Sequence, residues 1–381
     1  MQGVEEFRAE VRDWLAENLV GEFAALKGLG GPGREHEAFE ERRAWNRHLA
    51  EAGLTCLGWP VEHGGRGLSV AHRVAFYEEY AIANAPAKVN HFGEELLGPT
   101  LIAFGTPEQQ QRFLPRILDV TELWSQGYSE PGAGSDLANV ATTAVLDGDA
   151  WVINGQKVWT SLAHWAQWCF VVARTEKGSK RHAGLSYLLV PLDQPGVDVR
   201  PIVQLTGDSE FNEVFFDDAR TDADLVVGQP GDGWRVAMGT LTFERGVSTL
   251  GQQIVYAREL NAVVDLAKKT GAADDPLMRE RLTRSWAGLR AMRSYALATM
   301  DAEQPGQDNV SKLLWANWHR DLGEIAMDVQ GKASLVLDGG DFDEWQRLYL
   351  FTRADTIYGG SNEIQRNIIA ERVLGLPREA R

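Results

Sequence analysis

The stretch Gln126-Gly-Tyr-Ser-Glu-Pro-Gly-Ala-Gly-Ser-Asp136 concentrates small residues and hydroxyls in one short loop. Such a loop exposes backbone N–H groups to whatever lies against it, which suits a phosphate or a flavin edge. By composition alone it suits a structural turn equally well. Ser129 is not a nucleophile elbow, because the position that motif reserves for glycine is Pro131. A second tract, Gly28-Leu-Gly-Gly-Pro-Gly33, has the formal spacing of a dinucleotide loop. A true dinucleotide loop follows a strand, whereas a helical pattern precedes this one, so it reads as a loop between helices. The eight histidines are scattered without ligand spacing, and Cys56 and Cys169 are too few for a zinc site or a disulfide framework.

Elements of two kinds must position that loop. Phe7, Val11, Leu15 and Leu19 recur at intervals of four and line one helical face over Glu5 to Leu19. Ala38 to Gly53 and Ser69 to Ala85 read the same way, and Thr106-Pro107-Glu108-Gln109 opens a further helix with a capping box and proline at its first position. The texture then turns to strands. Ala141 to Val145 and Trp151 to Ile153 flank the turn Asp147-Gly148-Asp149, and Asn154-Gly155 offers a second turn before Lys157 to Thr160. Trp168 to Ala173, Leu185 to Val190, Val197 to Ile202 and Val214 to Phe216 add short strands. Helical patterns return over roughly 234–270, 276–303, 308–338 and 361–374. The order is α, β, α, with boundaries at roughly 1–120, 121–225 and 226–381.

Three separated motifs, GYSEPGAGSD, DGDAWVINGQKVWTS and YGGSNEIQRNIIAERVLG, resemble the acyl-CoA dehydrogenase family in order and spacing. The resemblance covers essentially the whole chain. It implies an α+β fold with an amino-terminal helical domain, a middle β-barrel or sandwich domain and a carboxy-terminal four-helix bundle. It also implies FAD. In that family the first motif lines the flavin, so Gln126, Tyr128 and Ser129 would approach the isoalloxazine, with Ser129 donating toward its N5 and O4 edge. Gly134 and Ser135 would serve flavin phosphate or acyl-CoA contacts. Trp159 would pack its indole on the flavin, and Thr160 and Ser161 would offer hydroxyls. Ser361 and Glu363 match positions that contact FAD at the start of the last helix, although Asn362 and Glu363 could simply cap that helix and complement its dipole.

One departure decides the chemistry. In the best-known members a glutamate directly follows the tyrosine of the last motif and removes the substrate α-proton, whereas here Tyr358 is followed by Gly359. Isovaleryl and long-chain enzymes place the base on a helix, directly before an arginine, and this sequence is similar to them in Thr242-Phe243-Glu244-Arg245. Glu244 is the candidate base. Leu241 and Val247 set it on an apolar stripe, while Thr240 and Ser248 are short hydroxyl neighbours that leave room for a substrate. Desolvation on that face is expected to raise its pKa above ~4.3. Arg245, one residue on, does not share its face and is assigned with Thr242 to the acyl-CoA side. The family's donors to the enolate-like thioester oxygen are a flavin ribityl hydroxyl and the N–H of the residue after the tyrosine, here Gly359.

A second departure concerns the FAD pyrophosphate, which many members grip from a neighbouring subunit through an arginine. Lys268 to Asp275 stands in that place, and the accompanying loop is altered to Gln330-Gly331-Lys332-Ala333-Ser334, of which Gln330 and Gly331 are carried over as FAD contacts.

Composition fits this picture. Hydrophobic residues make up 44% and charged ones 24% of 381 positions, enough apolar content for large cores. The net charge of −16 repels phosphate backbones and anionic lipid, which disfavours nucleic-acid and membrane partners. An acidic amino terminus unlike a signal peptide, no stretch long enough to span a bilayer, and few cysteines point to the cytoplasm. The resemblance implies an FAD-dependent enzyme that takes an acyl-CoA to the trans-2-enoyl-CoA, with α-proton abstraction and β-hydride transfer to flavin N5. Electrons would pass to an electron-transfer flavoprotein, and the assembly would be a homotetramer, or a heterotetramer. Two alternatives stand beside it: a non-catalytic or FAD-holding subunit of a heteromeric dehydrogenase, and a flavin oxidase or monooxygenase of the same fold.

Overall fold

The structure, a computed structural model, describes residues 2–243, 248–299, 306–337 and 339–378. Apolar residues four apart build α1 (Val4–Asn18), which buries Phe7, Val11 and Leu15. Next come α2 (Phe39–Glu51), α3 (Val70–Ile82), α4 (Gly98–Phe104) and α5 (Pro107–Leu118). The capping box that opens α5 forms as expected. Gln109 N donates to Thr106 Oγ1 at 3.2 Å, and Thr106 N donates to Gln109 Oε1 at 3.1 Å. The strands are β1 (Trp124–Gly127), β2 (Thr143–Asp147), β3 (Ala150–Ser161), β4 (Trp168–Arg174), β5 (Leu185–Pro191), β6 (Val197–Ile202), β7 (Phe211–Asp222) and β8 (Val226–Val227). The chain returns to helices in α6 (Gly233–Phe243), α7 (Ser248–Thr270), α8 (Pro276–Thr299), α9 (Gln307–Gln330), α10 (Glu344–Asp355) and α11 (Asn362–Ile368).

Two compact units emerge. One comprises Ala16–Ser69 and Ala85–Gly246, and the other Met1–Leu15, Val70–Asn84 and Val247–Arg381. In the first, the sheet runs β6-β7-β3-β2-β4-β5-β8, with β1 pairing parallel to β4. Alternation along β4 points its side chains into two of this unit's cores. Cys169, Val171 and Ala173 face a cluster with Ala144, Ile153, Leu188 and Phe216, while Phe170 and Val172 face another with Trp59, Leu97, Phe113, Tyr187 and Val236. In the second unit, Tyr256, Leu260, Val263 and Ala267 of α7 pack with Leu282 and Leu289 of α8 and with Leu322, Ala326 and Val329 of α9. These spacings of three and four are the helical stripe expected of a bundle.

Three expectations need correction. Asn154-Gly155 makes no turn, because β3 runs straight through it and the register against β7 shifts between Ile153 and Gly155. Gly155 has φ +151, and a Cβ there would meet Thr142 Oγ1 at 2.5 Å, so the dipeptide is a β-bulge. The pattern over 308–338 stops at Gln330, where Gly331 (φ +61) ends the helix. Helix α10 was not anticipated, although its capping box, Asp343 with Gln346, stands in the sequence.

Candidate active site

In the first unit the glycine-rich loop is fixed from behind. Glu130 and Ala133 exchange backbone hydrogen bonds, and the Glu130 carboxylate accepts from the N–H groups of Ala141 (2.6 Å) and Thr142 (2.9 Å). Lys157, fully buried on β3, donates from its ammonium to Glu130 Oε1 (2.7 Å), the Tyr128 carbonyl (3.1 Å) and the Val172 carbonyl (2.7 Å). Val158 N donates to the Ser129 carbonyl at 2.9 Å. The loop and the strand bearing Trp159 to Ser161 are thus one assembly. Burial opposes the Glu130 charge, but the Lys157 cation and the hydrogen bonds outweigh it and hold that carboxyl below the usual range. Sequence reasoning missed this pair, because Lys157 stands between Gln156 and Val158 with its partner 27 residues away.

The loop's side chains divide. Tyr128 packs its ring into the core, edge-on to Phe170 and Tyr187, so only its backbone remains for a ligand. Ser129 is half-buried, while Gly134 and Ser135 are exposed. On β3 the register slips again between Lys157 and Thr160, and Trp159 sits in this irregularity with φ +60 and 57% of its surface exposed. A bulge with a left-handed residue re-aims a side chain, and here it turns an indole out of the core. Thr160 is fully buried, and its Oγ1 has no partner among the described residues. The same holds for Nε2 of Gln126, on β1. Buried orphan groups need a ligand or water. A flavin, with carbonyl oxygens and nitrogens along one edge of a flat ring, answers both orphans and the outturned indole, so the residues present fit FAD.

Helix α6 leads toward the candidate base, but Glu244 and Arg245 lie outside the described residues. Thr242 is exposed and donates to the Gly239 carbonyl at 2.6 Å. Thr240 does not border open space. It is fully buried, with its hydroxyl 2.8 Å from Thr100 Oγ1 and within 3.4 Å of Tyr187 Oη.

In the second unit, Tyr358 follows α10 and donates from its hydroxyl to Asp355 Oδ1 at 2.7 Å. Gly359 (φ +61) and Gly360 (φ +87) form a left-handed turn that glycine adopts without strain. Gln365 on α11 donates from Nε2 to both their carbonyls, at 3.0 and 3.2 Å, and is itself held by Asn309 of α9. No backbone hydrogen bond among the described residues uses the Gly359 N–H. Ser361 is the N-cap of α11, accepting from Ile364 N at 3.4 Å. Glu363 is exposed in the first turn, where a backbone N–H and the Ser361 hydroxyl hold its carboxyl below the usual range. Gln330 donates to Asp343 Oδ2 at 2.5 Å and leaves Oε1 without a partner among the described residues, and Gly331 is exposed. Gln330 bonds at the start of α10 and Tyr358 follows its end, so within this unit the two sets of proposed contacts stand ~18 Å of helix apart.

The chain matches the family models described as acyl-CoA dehydrogenase N-terminal domain over residues 2–121, middle domain over 125–219 and C-terminal domain over 231–374. It is 86% identical over 388 residues to the acyl-CoA dehydrogenase IpdE1 of Mycolicibacterium smegmatis, covering 99% of both chains. Among solved structures, it is similar to one titled Tcur3481-Tcur3483 steroid ACAD, at 30% identity and a TM-score of 0.83, covering 99% of this chain and 98% of that one. It is also similar to a chain of the ChsE4-ChsE5 complex from Mycobacterium tuberculosis, at 30% identity and a TM-score of 0.82 with the same coverage.

Proposed function

Because the chain belongs to the acyl-CoA dehydrogenase family of FAD-dependent oxidoreductases, we propose that it oxidises an acyl-CoA thioester to the trans-2-enoyl-CoA with Glu244 as the base. Glu244 takes the proton α to the thioester carbonyl, and negative charge grows on the thioester oxygen as the proton leaves. The Gly359 N–H is the donor this chain offers to that oxygen, and Gln365 sets the turn that carries it. When bound, FAD supplies the acceptor for the hydride leaving the β-carbon. Gln126, Ser129, Trp159, Thr160 and Ser161, with the Tyr128 backbone, are proposed FAD contacts, as are Gln330, Gly331, Ser361 and Glu363. Gly134 and Ser135 serve phosphate or thioester contacts, and Thr242, Arg245 and Tyr358 the acyl-CoA.

The observation that carries this reading is the turn at Gly359. It keeps the N–H donor and bears no carboxylate, while Glu244 stands before an arginine. The missing side chain also leaves room near the reacting carbons, and a structural neighbour is titled a steroid ACAD, so the acyl group proposed is bulky and ring-bearing. The electron acceptor proposed is an electron-transfer flavoprotein, in the cytoplasm. Among the described residues no helix is long and apolar enough to cross a membrane. The assembly proposed is a homotetramer; the ChsE4-ChsE5 complex among the neighbours favours, as a second reading, an FAD-holding role beside a different chain.

Anaerobic titration of the flavin-loaded protein with acyl-CoA thioesters, following flavin bleaching, tests the proposal. Wild type should bleach, and Glu244→Gln should slow bleaching by ~10²- to 10⁴-fold or more. Bound flavin that no thioester bleaches would move the assignment to the partner-subunit role.

A further inference from the structure

A buried charge network lies directly behind the Tyr358 turn. His319 of α9 has its Nδ1 2.7 Å from Asp355 Oδ2 and its Nε2 2.9 Å from Glu259 Oε2 of α7. Asp355 ends α10 and is 1% exposed. Its remaining carboxylate oxygen accepts the Tyr358 hydroxyl at 2.7 Å, and its carbonyl accepts Lys312 Nζ at 2.6 Å. The Lys312 ammonium also lies 4.4 Å from the Tyr358 ring centroid and 4.0 Å from that of Trp315. Tyr358 is therefore held by its hydroxyl and by its ring face. Burial works against a charged His319, but the hydrogen bonds and charges of Asp355 and Glu259 outweigh it and raise the imidazole to about 9. At neutral pH both ring nitrogens then carry donors, which suits two carboxylate partners.

A bland account has the triad merely joining α7, α9 and α10. It leaves unexplained why the Asp355 oxygen not used by His319 is turned to the one tyrosine of the YGGSN motif. We propose that His319 and Asp355 are positioning residues: they fix Tyr358 and, through the peptide that follows it, aim the Gly359 N–H at the thioester oxygen. The aim of that N–H rests on the function proposed above; the ordering of the turn does not. The groups facing His319 are Glu259 and Tyr256 from α7 and Asp355 from α10, with Lys312 on its own helix and Tyr358 beyond.

Tyr358→Phe cuts the link and leaves the triad intact, while His319→Gln removes the cation. Hydrogen exchange of the 356–364 segment should quicken in both, whatever the activity. With 3-cyclohexylpropanoyl-CoA as probe, kcat should fall ~10- to 100-fold, in keeping with the cost of small misplacements, while KM changes less. Wild type should lose kcat as pH rises through about 9, and His319→Gln should lack that alkaline limb. Unchanged exchange of 356–364 in both variants would overturn the proposal, as would a KM rise with kcat intact. Quickened exchange in a protein that oxidises no thioester would keep the positioning role and discard the enzymatic reading on which the aim of the N–H depends.

Discussion

Lys157 reaches Glu130 Oε1 at 2.7 Å with no surface exposed to solvent, and this one ion pair ties the loop that begins at Gln126 to the strand that carries Trp159. A buried pair is costly to assemble but far costlier to halve, because the survivor is left charged in a low-dielectric interior. Lys157→Met should therefore destabilise the flavin-loaded protein by ~3 to 5 kcal/mol. Lys157→Met with Glu130→Gln should recover part of that loss, since no charge then remains buried. Urea unfolding of the three proteins measures both, and a double variant no more stable than the single one would refute the argument.

Gly98 opens α4 against the face of Trp59, so closely that a Cβ there would overlap the indole. Trp59 cannot retreat easily, because its Nε1 donates to the Glu94 carbonyl at 3.0 Å and its ring lies within the core. Gly98→Ala, usually a gain in a helix, should here cost ~1 to 3 kcal/mol through overpacking. A thermal midpoint equal to or above that of wild type would show that the indole can move.

Glu210 gives a pH test. It accepts the Gly33 N–H at 2.8 Å, and burial, followed by the charge of Glu35 and reinforced by Asp208, pushes its carboxyl up to about 8. A group raised on folding contributes stability that is full below its unfolded value of ~4.3 and is lost as pH rises through the folded one. Glu210→Gln keeps an oxygen for Gly33 and cannot ionise. The variant should match wild type near pH 4 and exceed its stability near pH 9 by about 3 to 5 kcal/mol. Parallel stability curves across that range would exclude Glu210 as the titrating group.

What the sequence made legible follows from how local each feature is. The stripe of α1 and the capping box of α5 are written within a few residues, and both form. Helix α10 escaped notice because its buried residues are Gln346, Thr352 and Asp355, which give no apolar period to read. Asn154-Gly155 has turn chemistry but sits where β3 bulges past Thr142. The pairs far apart in the chain are the least legible: Glu130 and Lys157 stand 27 residues apart, His319 and Glu259 60, and Gly33 and Glu210 177. Only the fold brings them together. The flavin motifs were legible by resemblance, yet the inward ring of Tyr128 and the outward indole of Trp159 were settled by packing and by a bulge.

Gly359 joins conformation to substrate choice. Its φ of +61 lies where an L side chain is strained, by ~1 to 2 kcal/mol, so Gly359→Ala should lower stability by about that amount. If the absent side chain is what admits a bulky acyl group, the added methyl should penalise 3-cyclohexylpropanoyl-CoA more than butanoyl-CoA. The expected change in the ratio of their kcat/KM values is ~10-fold or more, the scale on which one methylene discriminates in an apolar pocket. Strain in the turn would act on both substrates alike, since each needs the same N–H for its thioester oxygen. Equal losses on the two thioesters would leave Gly359 a purely conformational glycine and place the choice of acyl group elsewhere.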